Sequence, residues 1–346
     1  MTDHDLLRAR ARDLLPADVF AYFASGSGAE VTLRGQVSAW DAALLRPRVL
    51  RDVSATSAAT AVLSNPLDLP VLVAPVAAQG LVHPDGEVAV ARAAKESGSL
   101  MVLSMRSSTR LEDVAAVGPF WQQVYVLRDR GVSDEVALRA AAAGATALVV
   151  TVDTPYVARK RAGLPASMPP RGVIEALDRR DGADARLQQA PDLAPHDLER
   201  LADITGLPVV AKGVLTATAA RDCVAAGAAA VVVSTHGGRQ LDGVVPTPMA
   251  LSEVVEAVAD RVEVYVDGGV RTGTHVLKAL ALGASAALVG RPVVWALATG
   301  GAEGVRGLLD ELALGTREAL ALAGCRSCED VSPDVVQLVP RSSPGS

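Results

Sequence analysis

His236 and Arg239 lie three residues apart, separated by Gly237 and Gly238, directly after the β-branched run Val231-Val232-Val233 and Ser234-Thr235. An imidazole can take a proton near neutral pH, and a guanidinium can grip a carboxylate with two parallel hydrogen bonds. A base and an anion clamp therefore share one turn. That turn lies just past the end of a candidate buried strand, where α/β folds place their chemistry. Lys212 follows another apolar run, Leu207-Pro208-Val209-Val210-Ala211. A buried ammonium needs a partner, which leaves three readings: an anionic or electron-accepting ligand, an internal pair with Asp153 or Asp267, or Schiff-base chemistry of the aldolase kind. Asp267-Gly268-Gly269-Val270-Arg271 and Gly290-Arg291-Pro292 each lead into a helical segment. Glycines let backbone N–H groups approach an anion and a helix start adds positive potential, so these two turns predict a phosphate site.

Such groups need a scaffold that brings distant segments to one face. Short apolar, β-rich runs at 71–74, 100–104, 121–126, 147–152, 208–212, 229–234, 263–267 and 286–289 read as strands, alternating with helical patterns such as 86–97, 134–143, 217–226, 248–258 and 274–282. Gly98, Gly144, Gly227 and Gly283 stand where helices end. Eight βα units predict an α/β fold, a closed (β/α)8 TIM barrel over 70–330 within a single domain of 346 residues. Residues 1–69 read as one or two helices and a turn-rich cover for the barrel's bottom or side. The Pro- and Arg-rich segment 158–195 reads either as a lid over the active-site face or as a solvated loop. The tail 331–346 reads as loose.

With the strands placed, their C-terminal ends carry a polar rim: Pro75, Val76 and Ala77, Ser104, Gln123 and Tyr125, Thr151 and Asp153, Lys212, Ser234 and His236, Asp267, and Gly290 with Arg291. Composition narrows the rest. A net charge of −6 offers no basic footprint for nucleic acid, and three Trp, four Tyr and three Phe are too few for base-stacking platforms. The polar, acidic start and the lack of an 18-residue apolar run predict a soluble, cytoplasmic protein without membrane attachment. Cys325 and Cys328 have C-x-x-C spacing, but no second ligand pair stands at matching distance, so no metal is expected.

The chain resembles the FMN-dependent 2-hydroxy acid oxidase and dehydrogenase family, which includes glycolate oxidase, lactate oxidase and mandelate dehydrogenase. The likeness runs from about Val19 to Asp330. It rests on Tyr22-Phe23-Ala24-Ser25-Gly26, Arg46-Pro47-Arg48, Ala74-Pro75, His83-Pro84-Asp85-Gly86-Glu87, Thr151-Val152-Asp153-Thr154-Pro155, Lys212-Gly213, Ser234 to Asp242, and Asp267 to Arg271. The resemblance implies FMN in the barrel mouth, its phosphate on Gly269, Arg271, Gly290 and Arg291, with Asp267 and Gly268 in the same loops. It places Pro75, Val76, Ala77, Ser104, Gln123, Thr151, Lys212 and Ser234 along the ring and ribityl chain, Lys212 supplying positive charge to the reduced ring. It further implies that His236 is the base, that Asp153 orients it, that Arg239 and Tyr22 clamp the substrate carboxylate, and that Tyr125 bonds the substrate hydroxyl.

Departures from the family pattern gather around the substrate. Lys160 stands where a second substrate-binding arginine is usual, Thr235 where Asn is common, and Arg106 at a position often apolar or aromatic. Lys160 supplies charge without a planar fork, and Arg106 offers a group for a second anion or for the missing arginine. The leading expectation is oxidation of a small 2-hydroxy acid to the 2-oxo acid, with oxygen or another acceptor taking the electrons from a homo-oligomer, a tetramer by resemblance. The alternatives are an atypical substrate from a biosynthetic pathway, a flavin-dependent isomerase, which would not need His236, Arg239 and Asp153 together, and a flavin-binding protein that keeps the set by descent.

Overall fold

The computed structural model describes residues 3–168 and 185–338. Three helices open the chain, α1 (Asp3–Leu14), α2 (Ala17–Ala24) and α3 (Val31–Ala42), where the sequence suggested one or two. A short strand β1 (Leu44–Leu45) and the hairpin β2 (Thr60–Val62) and β3 (Asn65–Leu67) follow. Then come eight parallel strands: β4 (Val71–Val73), β5 (Met101–Leu103), β6 (Phe120–Val124), β7 (Ala147–Thr151), β8 (Val209–Val214), β9 (Ala230–Val233), β10 (Glu263–Val266) and β11 (Ala286–Val289). The barrel closes where β11 pairs with β4, as the eight βα units require. Among the helices around it are α4 (Gly86–Glu96), α5 (Leu111–Ala115), α6 (Arg130–Ala142), α7 (Pro195–Thr205), α8 (Ala217–Ala225), α9 (Thr247–Val258), α10 (Gly273–Ala281) and α11 (Arg291–Leu322). The four glycines expected to end helices, Gly98, Gly144, Gly227 and Gly283, all have positive φ, at 63°, 91°, 97° and 77° in the order Gly98, Gly144, Gly283, Gly227.

Side-chain alternation along the strands decides what reaches the barrel axis. Leu72, Val102, Trp121, Val149, Val210, Val232, Tyr265 and Leu288 form one inner cluster, while their neighbours Val73, Leu103, Val150, Ala211, Val233, Val266 and Val289 join the outer core under the helices. Two residues on from the inner set come Ala74, Ser104, Gln123, Thr151, Lys212, Ser234, Asp267 and Gly290. Four on come Val76, Arg106, Tyr125, Asp153, His236 and Gly269. The polar rim is thus the continuation of the barrel's inward stripe beyond its apolar plug.

The N-terminal segment divides its work between the two ends of the barrel. Val62 and Leu67 of the hairpin join the inner cluster and close the lower mouth, where the Leu63 N–H donates to Glu263 Oε1 at 2.9 Å. The helices rise to the other end: Val19 and Phe23 of α2 pack with Val294 and Trp295 of α11, and α1 lies along α11. The tail is anchored rather than loose as far as residue 338. A last strand, β12 (Val336–Gln337), pairs antiparallel with β1, and Val335 is fully buried. Of the segment 158–195, residues 169–184 lie outside the described residues, while Lys160, Leu164, Met168 and Leu187 to Gln189 line the cavity mouth.

Candidate active site

His236 meets Asp153 through Nδ1 and Oδ1 at 3.0 Å, which turns the other imidazole nitrogen away from the carboxylate. His236 holds a left-handed backbone, φ 53°, and its N–H donates to Ser234 Oγ at 3.0 Å. Such a conformation in a non-glycine residue is kept only where its surroundings enforce it. Burial works to raise the Asp153 pKa, yet the charge and hydrogen bond of His236, helped by Lys212, more than offset it and hold the carboxyl below its ordinary range. Asp153 therefore stands as an anion behind the imidazole; His236 lines the cavity and Asp153 does not.

Lys212 does not end its strand as the sequence suggested. β8 runs on to Val214 across an irregularity, and the Lys212 ammonium pairs with Asp267 Oδ2 at 2.7 Å and donates to Ser234 Oγ at 2.9 Å. Of the internal pairs considered, the one with Asp267 forms. Ser234 itself is fully buried and lies outside the cavity lining, so it reaches the site through Lys212 and His236. Around the same wall Gln123 donates to Thr151 Oγ1 at 3.0 Å and accepts the Met105 N–H at 3.0 Å, while Ser104 Oγ accepts the Arg106 N–H at 3.1 Å. Pro75, Val76 and Ala77 complete this wall. Glu87, which sequence reasoning placed only within a motif, is fully buried and accepts from the Gln79 and Ser108 N–H groups and from the Ser108 and Thr109 hydroxyls. It ties the loops after β4 and β5 together.

At the far end Gly268, Gly269, Arg271, Gly290 and Arg291 line the cavity. Burial pushes the Arg271 pKa down to about 10, and its Nε is buried without a hydrogen-bond partner. Burial, then the charges of Arg239 and Arg271, push Arg291 down to about 9. Two partly buried cations that repel each other, one with a buried, orphaned donor, fit a phosphate dianion. Arg291 also serves as a strut, which the sequence did not suggest: it donates to Phe23 O, Gly237 O and Ser25 O at 2.8, 2.8 and 3.0 Å. It binds the end of α2 to the His236 turn. Gln36 of α3 also lines this region and bonds Thr235 Oγ1; a polar residue on the buried Thr32, Gln36, Trp40 face was the signal for it.

Three further cations line the cavity, and one of them, Arg239, shares the Ser25 carbonyl with Arg291. Arg239 donates to Tyr22 O at 2.7 Å and Ser25 O at 2.9 Å, with its guanidinium 5.0 Å from the centre of the Tyr22 ring. Lys160 donates to Ala158 O at 2.8 Å and Gln240 Oε1 at 3.1 Å. Burial, reinforced by Arg239 and opposed by Asp153, pushes the Lys160 pKa down to about 8. Arg106 lies over the Tyr125 ring at 5.8 Å and donates to Leu187 O at 3.2 Å. Burial pushes the Tyr125 phenol up to about 12, which keeps it a neutral donor. These groups face a cavity of about 450 Å3, with Val157, Leu164, Met168 and Leu187 adding apolar surface.

The barrel and the sequence are shared with known proteins. A family model described as FMN-dependent dehydrogenase matches residues 11–338. The chain is similar to 4-hydroxymandelate oxidase of Amycolatopsis orientalis, 45% identical over 93% of this chain and 94% of that protein. It is similar to 2-Hydroxyacid oxidase 1 of Homo sapiens, 39% identical over 95% of each. A crystal structure of mandelate oxidase superposes with a TM-score of 0.89 at 43% identity, covering 96% of this chain and 97% of that one. The chain belongs to the FMN-dependent dehydrogenase family and is an FMN-dependent oxidoreductase of the 2-hydroxy acid oxidase type.

Proposed function

We propose that His236 is the base that takes the proton leaving a bound 2-hydroxy acid as it becomes the 2-oxo acid. The observation that carries this reading is the 3.0 Å His236–Asp153 pair set beside Arg239 and Lys160. Asp153 fixes the imidazole's tautomer and offsets the charge it gains, as a buried carboxylate does for a catalytic histidine. Arg239 and Lys160, with Tyr22 beside them, hold the substrate carboxylate, and Tyr125 donates to the substrate hydroxyl or the carbonyl that replaces it. FMN, when bound, would supply the oxidising power, taking up the two electrons and the second of the two protons that the substrate loses. Arg271, Gly268, Gly269, Gly290 and the charge of Arg291 would hold its phosphate, while Pro75, Val76, Ala77, Ser104, Gln123, Thr151 and the Lys212–Asp267 pair would border its ring and ribityl chain. Ser234 would hold Lys212.

Substrate size follows from the mouth. Val157, Leu164, Met168 and Leu187 favour an apolar or aryl side chain, in keeping with relatives named for mandelate and 4-hydroxymandelate. Arg106 borders that end. Oxygen as acceptor, a cytoplasmic location and a homotetramer complete the proposal; no helix among the described residues is long and apolar enough to cross a membrane.

Anaerobic mixing with a panel of 2-hydroxy acids tests the base. The wild-type flavin absorbance should bleach with at least one member, and His236→Ala should keep its FMN spectrum yet bleach at least about 10²–10⁴-fold more slowly. Wild-type bleaching rates in His236→Ala would remove His236 from the reaction.

A further inference from the structure

We infer that Gln240 is a positioning residue that sets two functional groups at once, fixing the main chain that carries Asp153 and holding the Lys160 ammonium beside Arg239. The inference rests on the roles proposed above for Asp153 and Lys160. Gln240 is buried, and its amide has a partner on every side. Nε2 donates to Asp153 O and Tyr156 O, each at 3.0 Å, and Oε1 accepts the Ala158 N–H at 3.3 Å and the Lys160 ammonium at 3.1 Å. Two carbonyls on one side can be satisfied only by the NH2 group, so the network fixes which way the amide points.

Position in the chain gives this its consequence. Gln240 lies four residues after His236 and one after Arg239, so the turn carrying base and clamp also grips the segment carrying the base's partner and the second cation. Asp153 has little freedom behind it, since a Cβ on Gly213 would come within 2.6 Å of the Asp153 Cβ and Cγ. In front, Gln240 holds its carbonyl. Among the described residues, the charged groups acting on Lys160 are Arg239, which opposes its protonation, and Asp153, itself paired with His236, which favours it. Burial also works against the charge, leaving the ammonium with a pKa near 8. The Gln240 carbonyl oxygen is one of two acceptors that steady it.

Binding of a 2-oxo acid to the FMN-loaded protein, followed across pH by the change in flavin absorbance, provides the test. In the wild type, affinity should weaken as pH rises through about 8 and Lys160 loses its proton. Gln240→Glu puts a full negative charge beside the ammonium and should move that weakening up by about one pH unit or more; Gln240→Leu removes the acceptor and should move it down. Turnover at lower pH should fall about tenfold in both, because the bonds to Asp153 O and Tyr156 O are lost. Lys160→Met should abolish the weakening, and in that background neither Gln240 variant should shift what remains. If Gln240→Leu fails to retain FMN, Gln240→Met, unbranched and of similar length, replaces it. A weakening lost in Lys160→Met but unmoved by both Gln240 variants overturns the inference alone. Its persistence in Lys160→Met overturns the role of Lys160 and the inference with it.

Discussion

Lys160 and Arg239 divide one task by different means. The Arg239 guanidinium is braced on Tyr22 O and Ser25 O, so its plane is fixed before any substrate arrives. Arg239→Lys would lose both braces and the fork, and substrate KM should rise about 10- to 100-fold with FMN absorbance unchanged, as expected for loss of a charged hydrogen bond. Steady-state kinetics against a substrate the wild type accepts would show it, and an unchanged KM would remove Arg239 from carboxylate binding. Lys160 instead contributes a charge that titrates. Below pH 8 the ammonium is present and a carboxylate binds to it; above that the attraction fades, so KM should climb through the range 8–10. Lys160→Arg keeps its charge throughout and should flatten this climb while preserving or improving turnover of simple 2-hydroxy acids. A climb that survives Lys160→Arg would place its origin in another group. The rim residues Gln123, Tyr125, Thr151, Asp153, Lys212 and His236 were legible because strand alternation fixes which positions face the barrel axis, and Arg239 from its spacing after His236, whereas Tyr22 and Lys160 entered through the family resemblance. Gln240 and Glu87 were not, since each acts through backbone groups that sequence spacing cannot locate.

The irregularity in β8 shows how an element serves the site. Gly213 has φ 116° and leaves no room for a Cβ against Asp153, so the strand must pass Lys212 and then swing clear. Gly213→Ala should push Asp153 off His236: flavin reduction by substrate should slow by at least about tenfold while FMN stays bound. Stopped-flow rates equal to wild type would show that the strand absorbs the methyl group. The barrel strands and the helix-ending glycines could be read from local pattern because each βα unit repeats the same signals. The anchored tail could not. Its hold on the body is a two-residue pairing, Leu44 with Gln337 and Leu45 with Val336, between segments almost a full chain length apart, plus the buried Val335. Val335→Ala should therefore cost about 2 kcal/mol of stability, read as a lower denaturation midpoint, with the cofactor site unaffected. The third N-terminal helix escaped for a related reason: α3 buries Thr32, Gln36 and Trp40, a face whose polar members hide the usual apolar period.

At the scale of the molecule, several large apolar side chains reach the surface, Tyr156, Leu241 and Leu322 among them, and the pair beyond β1 differs from these three in its backbone. Val49 is 75% exposed and Leu50 is wholly exposed, and Leu50 holds a left-handed backbone with φ 57°. A bulky residue in that conformation costs about 1–3 kcal/mol, and exposure gives the side chain nothing in return. Burial against another copy would offset both costs, which makes this segment a contact to test for the homotetramer proposed from family likeness. Light scattering should give a mass near four times the 35.5 kDa of one chain. Val49→Asp with Leu50→Asp should shift the population to smaller species, because a carboxylate at each position must be desolvated on assembly. The cavity of one chain is lined by its own residues from Tyr22 to Val294, so the smaller species should still bind FMN. A monomeric wild type at working concentration would refute the tetramer. A tetramer that survives the double substitution would move the contact to another face and leave the exposed, left-handed Leu50 without this explanation.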